Sequence, residues 1–192
     1  MQPKPLPDIT ILRQLMRLDD SGVLLWNPRT GNDGSTDYFN QTFANKPVGT
    51  CVRKKPNSTH VTYSVTVQNS RYPLGRIAFK LAYGRDPKPG ALIDHIDRNT
   101  ANNRPDNLRE VTPTQNAWNL SLKSNSAAKL KGVGTEIRNP RTENVRYRAT
   151  IRVHGRRVYL GAYKTPEEAA AAYKAASILV HGDYSIFATD AE

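Results

Sequence analysis

The segment from Arg146 to Val153 alternates without a break. Tyr147, Ala149, Ile151 and Val153 point to one side of a strand, and Arg146, Arg148, Thr150 and Arg152 to the other. A period of two over eight residues excludes a helix there. His154-Gly155 follows as a two-residue turn. The returning strand places Val158 and Leu160 on the apolar side, with Arg157 and Tyr159 among the arginines. An earlier strand spans Val133 to Arg138. Thr165 and Glu168 then have capping-box spacing around Pro166, so a helix starts there. Its apolar stripe is Ala169, Ala172, Tyr173, Ala176 and Leu179, and Gly182 ends it. The pattern specifies a three-stranded sheet with one helix packed on one face and bare arginines on the other.

Charge says what that bare face meets. The chain has 28 Lys and Arg against 17 Asp and Glu, a net of +11, and a pI near 9.9. Such a surplus points to a polyanion. Nine basic and two acidic residues fall between Lys129 and Arg157, whereas residues 91–125 carry four of each. No acid stands between Arg146 and Arg157, so the face repels itself unless an anion covers it. A sheet of this kind fits the DNA major groove, where arginine pairs with guanine or phosphate.

Other classes fall away. Cys51 is the single cysteine, which excludes a disulfide framework and any zinc site built on two or more cysteines. His60, His154 and His181 have no metal-ligand spacing. Apolar runs such as Val23–Trp26 are short, far below the about 20 residues of a membrane span. Met1–Pro7 lacks the apolar core of a signal peptide, so the expected location is the cytoplasm. Along the first ninety residues a short helix is expected over Ile9–Leu18 and a strand over Val23–Trp26. A polar stretch from Arg29 to Gly49 reads as a long loop or an insertion, Tyr63–Val67 as a strand, and Tyr72–Tyr83 as a helix closed by Gly84. Ser121–Lys131 is the linker candidate.

The remaining middle region carries the chemistry. Two short strands, about 91–97 and 107–112, flank a polar loop rich in Asn, Asp and Arg. Thr112 and Gln115 have capping-box spacing and Pro113 suits a first helical position, so Asn116 lies in the first turn of a helix. Strand, loop, strand and helix within thirty residues can gather Asp94, His95 and Asn116. Asp94 and the Asn116 amide oxygen suit a hard cation such as Mg²⁺ that also takes substrate phosphate. A neutral His95 beside it can take a proton from water.

At these residues the chain resembles a known family. Asp94-His95, Asn107 and Asn116, within LIDHIDRNTANNRPDNLREVTPTQNAWN, look like the HNH motif of the ββα-metal nucleases. The likeness is strongest to phage and intron-type HNH homing endonucleases, whose last motif position is Asn. GVLLWNPR and PLGRIAFKLAYGRDPKPG upstream are similar to the same enzymes. The resemblance implies that His95 is the general base, that Asp94 and Asn116 bind Mg²⁺ or Mn²⁺, and that Asn107 holds the loop and orients His95. Such enzymes usually carry a His-Arg pair in the upstream helix, where this chain has Gly75-Arg76. That departure puts a DNA or packing contact of the family's His in doubt and leaves Arg76 as a DNA-binding candidate. The carboxy-terminal stretch, with KGVG and YRATIRVHGRRVYLGAYKTPEEAAAAYKAASILVHG, resembles the plant ethylene-response-factor (Apetala-two) DNA-binding domain. That likeness implies DNA contacts from Arg146, Arg148, Arg152, Arg157 and Tyr159. Gly134 and Glu136 stand where the plant domain has arginines, so the base preference should differ.

The expectation is therefore an α+β protein: a nuclease domain over 1–120 with its ββα-metal core at about 90–120, a linker over 121–131, and a DNA-reading domain over 132–188. It should hydrolyse a DNA phosphodiester bond at a recognised site, as a phage homing endonuclease in the host cytoplasm. The partner is double-stranded DNA, no membrane is involved, and the protein is a monomer or homodimer. The alternative is a DNA-binding regulator whose nuclease centre has decayed.

Overall fold

The computed structural model describes residues 4–53, 61–120, 130–137 and 145–188. His60 and residues 121–129 of the expected linker lie outside them. The chain divides into two compact units, Met1–Pro113 and Thr114–Glu192. Helices mix with small antiparallel sheets of two or three strands, so the fold class is α+β.

In the first unit, Asp8 opens α1 (Ile9–Leu15) by accepting a hydrogen bond from the Thr10 N–H. The helix stops at Leu15, short of the expected Leu18, because Met16–Leu18 leaves as strand β1 and pairs with β2 (Leu24–Trp26). Asp19 builds the intervening turn, its Oδ1 accepting from the N–H groups of Ser21 and Val23 and the Ser21 hydroxyl. Gly22 sits at φ +82°, and a Cβ there would collide with the backbone nitrogen of Arg104.

The stretch expected as a loop from Arg29 to Gly49 contains a helix, α2 (Gly34–Thr42), capped by the Asp33 side chain. Few of its side chains are apolar, but those few have helical spacing. Phe39 packs on Phe43 and edge-on against Trp26, and the Arg29 guanidinium lies 3.7 Å from its ring centre. Strands β3 (Thr50–Arg53), β4 (Val61–Val67) and β5 (Ser70–Pro73) form a meander. Helix α3 (Leu74–Tyr83) follows at once, starting two residues later than the periodicity indicates because Tyr72 and Pro73 still pair with β4. Gly84, left-handed at φ 69°, closes it. The core of this unit joins Leu12, Met16, Leu24, Val65, Val67, Leu74, Ile77, Phe79 and Leu108. Helix α3 is thus the floor under β6 (Leu92–His95) and β7 (Leu108–Val111), which pair antiparallel.

The second unit begins with most of α4 (Pro113–Asn119). Its sheet runs in the order β10 (Arg156–Tyr163), β9 (Val145–Val153), β8 (Val133–Ile137), all antiparallel. His154 and Gly155, both at positive φ, form the tight turn. Helix α5 (Pro166–His181) has the full capping box between Thr165 and Glu168 and packs with the sheet around Val133, Ala149 and Ala169. Ala149 and Ile151 on the central strand are buried, whereas Val158, opposite Ile151 on an edge strand, is 42% exposed. The apolar side expected for Val158 is therefore only partly covered. Leu160 packs against the core as expected, at a register shift between Tyr159 and Gly161.

Candidate active site and nucleic-acid interface

The β6–β7 register puts Asp94 opposite Arg109 and His95 opposite Leu108. Cross-strand neighbours on one face interact, and Asp94 Oδ2 accepts from Arg109 Nε at 3.0 Å and Nη2 at 2.9 Å. Both side chains are mostly buried. The next pair, Ile93 and Glu110, continues the pattern of anchored charge. Glu110 takes two bonds from the Arg85 guanidinium, at 3.0 and 2.7 Å, and one from the Lys88 N–H at 2.6 Å. The Arg85 bonds above all, with the Lys88 N–H and against partial burial, hold its carboxyl down at about 2.

The loop between the strands is tied by amides. Asn107, buried at its end, accepts from the Asp97 N–H at 3.0 Å and donates to Asp97 Oδ1 at 2.9 Å and to the Asn102 carbonyl at 2.8 Å. Asn102 donates to the other Asp97 oxygen at 2.7 Å. Burial opposes the charged form of Asp97, but the bonds from Asn102, the Asn99 N–H and Asn107 outweigh it and lower its carboxyl below the usual range. Asn107 therefore holds the loop, and Asn103 Oδ1 lies 3.2 Å from Nε2 of the His95 ring. Gly75, in the first turn of α3, faces the same ring. A Cβ there would stand 3.1 Å from His95 Cε1. Arg76, next on α3, is half-buried.

Asn116 lies on α4, in the second unit. That helix is seated on other elements of its own unit. The Trp118 ring stacks on His181 at 4.1 Å and 8°, and Lys131 Nζ donates to the carbonyls of Trp118 and Leu120. His181 is buried. Its Nδ1 shares a hydrogen bond with the Ser177 hydroxyl and its Nε2 donates to the Arg152 carbonyl at 3.3 Å. Burial pushes its pKa down, helped by the charge of Lys131 and opposed by that carbonyl.

On the sheet, Arg146, Arg148, Thr150 and Arg152 share one face of β9, joined across the register by Arg157 opposite Arg152 and Tyr159 opposite Thr150. Arg148, Arg152 and Arg157 are exposed, and Tyr159 is 57% exposed. Gly134 lies opposite Arg148, and a Cβ there would be 3.1 Å from its Nε. The missing side chain lets the Arg148 stem lie over β8.

Asn103 and Arg109 are the residues of the site that sequence reasoning passed over. Their residue types were visible, but the register and loop path that carry them to His95 and Asp94 were not. No cluster of three or more His, Cys, Asp or Glu side chains with metal-binding geometry occurs among the described residues. No described helix is long and apolar enough to cross a membrane.

The hairpin carrying Asp94 and His95, the amide-locked loop and the helix that follows fall within residues 72–118, which match the HNH endonuclease family model. The chain carries an HNH endonuclease domain. It is 31% identical to Protein 3.8 of Escherichia phage T7 over 109 residues, 57% of this chain and 84% of that one. It is also 29% identical to an uncharacterized HNH endonuclease of Acanthamoeba polyphaga mimivirus over 123 residues, 64% of this chain and 60% of that protein. No solved structure matches it.

Proposed function

We propose that this protein is a metal-dependent DNA endonuclease that selects its site with its carboxy-terminal sheet and acts as a phage homing endonuclease. The observation that carries the reading is Asp94 and His95 side by side on β6, one held by an arginine and the other by a buried amide.

HNH nucleases generally use a divalent metal ion. The donor types fit one: a carboxylate at Asp94 and an amide oxygen at Asn116, both hard ligands for Mg²⁺ or Mn²⁺. Arg109 orients the Asp94 carboxylate, as hydrogen-bonding partners of ligating carboxylates do. When bound, the ion stabilises charge on the phosphate and the leaving oxygen. His95 takes a proton from water, the water oxygen bonds to phosphorus, and the bond from phosphorus to the leaving sugar oxygen breaks. Asn107 keeps the loop beside β6 closed during this step. Arg146, Arg148, Arg152, Arg157 and Tyr159 would lie against the duplex in the manner of an ethylene-response-factor domain, with Arg76 as a further contact from the nuclease domain. The proposed domains are a nuclease domain over 1–120, a linker over 121–131 and a DNA-reading domain over 132–188; the chain divides after Pro113, and Trp118 of α4 stacks on His181 of the second unit.

The Asp94–Arg109 ion pair also favours a second reading, a DNA-binding regulator with a decayed nuclease centre, because the guanidinium offsets the charge that attracts a cation. Plasmid nicking separates the two. Cleavage should require Mg²⁺ or Mn²⁺ and stop in EDTA. His95→Ala should lower it at least about a hundredfold with DNA affinity nearly unchanged, since a neutral histidine releases no counterion. No cleavage with any divalent ion, or equal cleavage by His95→Ala, would refute the proposal.

A further inference from the structure

We propose that Arg98 is a phosphate-binding residue of the nuclease site, its guanidinium taking a backbone phosphate of the DNA strand being cut. The proposal rests on the reading of this site as a DNA nuclease.

The arginines from Arg85 to Arg109 are Arg85, Arg98, Arg104 and Arg109. Three are committed to carboxylates: Arg85 to Glu110, Arg104 to Asp106 and Arg109 to Asp94. Arg98 is exposed, and its guanidinium has no hydrogen bond or ion pair with any described residue. The neighbouring carboxylate does not engage it. Asp97 accepts instead from the Asn99 N–H and the Asn107 amide at Oδ1, and from the Asn102 amide at Oδ2. Residues 91–125 carry as many acids as bases, so this segment has no net charge to draw in a phosphate. The arginine it leaves unpaired for one is Arg98, three residues from His95.

The backbone makes an arginine there more telling. Arg98 has φ 64°, in the left-handed region that L side chains rarely adopt. The other described non-glycine residues at positive φ are Asn45, Gln68, Asn69 and His154, so Arg98 alone among them carries a permanent charge. Its N–H donates to the His95 carbonyl at 2.9 Å and closes a turn in which glycine or asparagine would fit with less strain. Arginine is the worse choice for stability, and it makes no polar side-chain contact that would compensate. Strain of this kind gathers at functional sites. The loop beneath is fixed. The Thr100 hydroxyl donates to the Val61 carbonyl at 2.8 Å and the Asn103 N–H to the Gly22 carbonyl at 3.2 Å. Arg98 thus has an anchored backbone and an uncommitted head, and a planar guanidinium matches two phosphate oxygens at once.

Arg98→Gly in the full-length chain tests this, because it removes the charge at a backbone position that favours glycine. Its Tm should equal the parent's or exceed it by about 2–4 °C. On duplex DNA in EDTA, the slope of log Kd against log salt should fall by about one in magnitude, alike for every duplex sequence. Single-turnover plasmid nicking in Mg²⁺ should slow about tenfold or more. Arg98→Lys, which keeps the charge, should recover the slope and part of the rate. An unchanged slope in Arg98→Gly overturns the proposal. A lowered slope with undiminished nicking overturns its place on the cut strand. A Tm more than about 4 °C below the parent's would make the role of Arg98 structural and overturn the proposal as well. No nicking by the parent with any divalent ion would instead overturn the nuclease reading, and the salt slopes would still decide whether Arg98 meets a phosphate.

Discussion

Trp118→Ala should disturb catalysis from a distance. Trp118 is two residues beyond Asn116 on α4 and stacks flat on the buried His181 ring at 4.1 Å. A fully buried tryptophan replaced by alanine costs about 3–5 kcal/mol. Trp118 is half-buried, so its share of that is about 2 kcal/mol, of which about 1 kcal/mol belongs to the ring pair itself. The Lys131 bonds to the Trp118 and Leu120 carbonyls remain, so α4 should loosen rather than leave. Urea unfolding of the full chain, followed by circular dichroism, should show the loss in the transition of the second unit. In plasmid nicking the variant should need several-fold more Mg²⁺ for half-maximal rate, because the Asn116 amide is less well held. Affinity for duplex DNA in EDTA should not change, since the arginine face is untouched. Unchanged urea stability together with an unchanged Mg²⁺ requirement would refute the idea that this stack seats the helix.

Arg148→Ala and Arg152→Ala should each cost about 1–3 kcal/mol on the specific site if the arginine reads a guanine; if it meets only phosphate, binding to specific and scrambled duplexes should fall alike and the salt slope drop by about one, so no effect on either duplex in a salt series counts against the sheet as reader. Arg109→Met should destabilise the first unit by about 3–5 kcal/mol, because it strands a buried carboxylate at Asp94, and a loss under about 1 kcal/mol in chemical unfolding would contradict the buried pair. Glu110, held at about 2 by Arg85 and the Lys88 N–H against 4.5 when free, makes the folded state bind fewer protons than the unfolded chain between those values. Its contribution is complete above pH 4.5 and is lost as the pH falls towards 2; Glu110→Gln should flatten that part of the stability–pH curve, and an unaltered curve would remove Glu110 from the account.

Much of the architecture was legible from short-range chemistry. The alternation of Arg146–Val153, the His154-Gly155 turn and the Thr165–Glu168 capping box each act over fewer than ten residues, and the strands, turn and helix form where those signals stand. The strand, loop, strand, helix order around Asp94, His95, Asn107 and Asn116 was visible for the same reason. Helix α2 was missed because its polar composition outweighed the Phe39–Phe43 spacing, and α1 ran long because Met16–Leu18 suits either a helix or a paired strand until β2 is beside it. The partners of Asp94 and His95 belonged to tertiary structure alone. Arg109 reaches Asp94 only through the β6–β7 register, and Asn103 reaches His95 only because the Asn107 bonds close the loop and the Gly22 turn presses on it. Periodicity and caps are written in neighbouring residues, whereas a hydrogen bond between side chains of different elements depends on the folded path that brings them within about 3 Å.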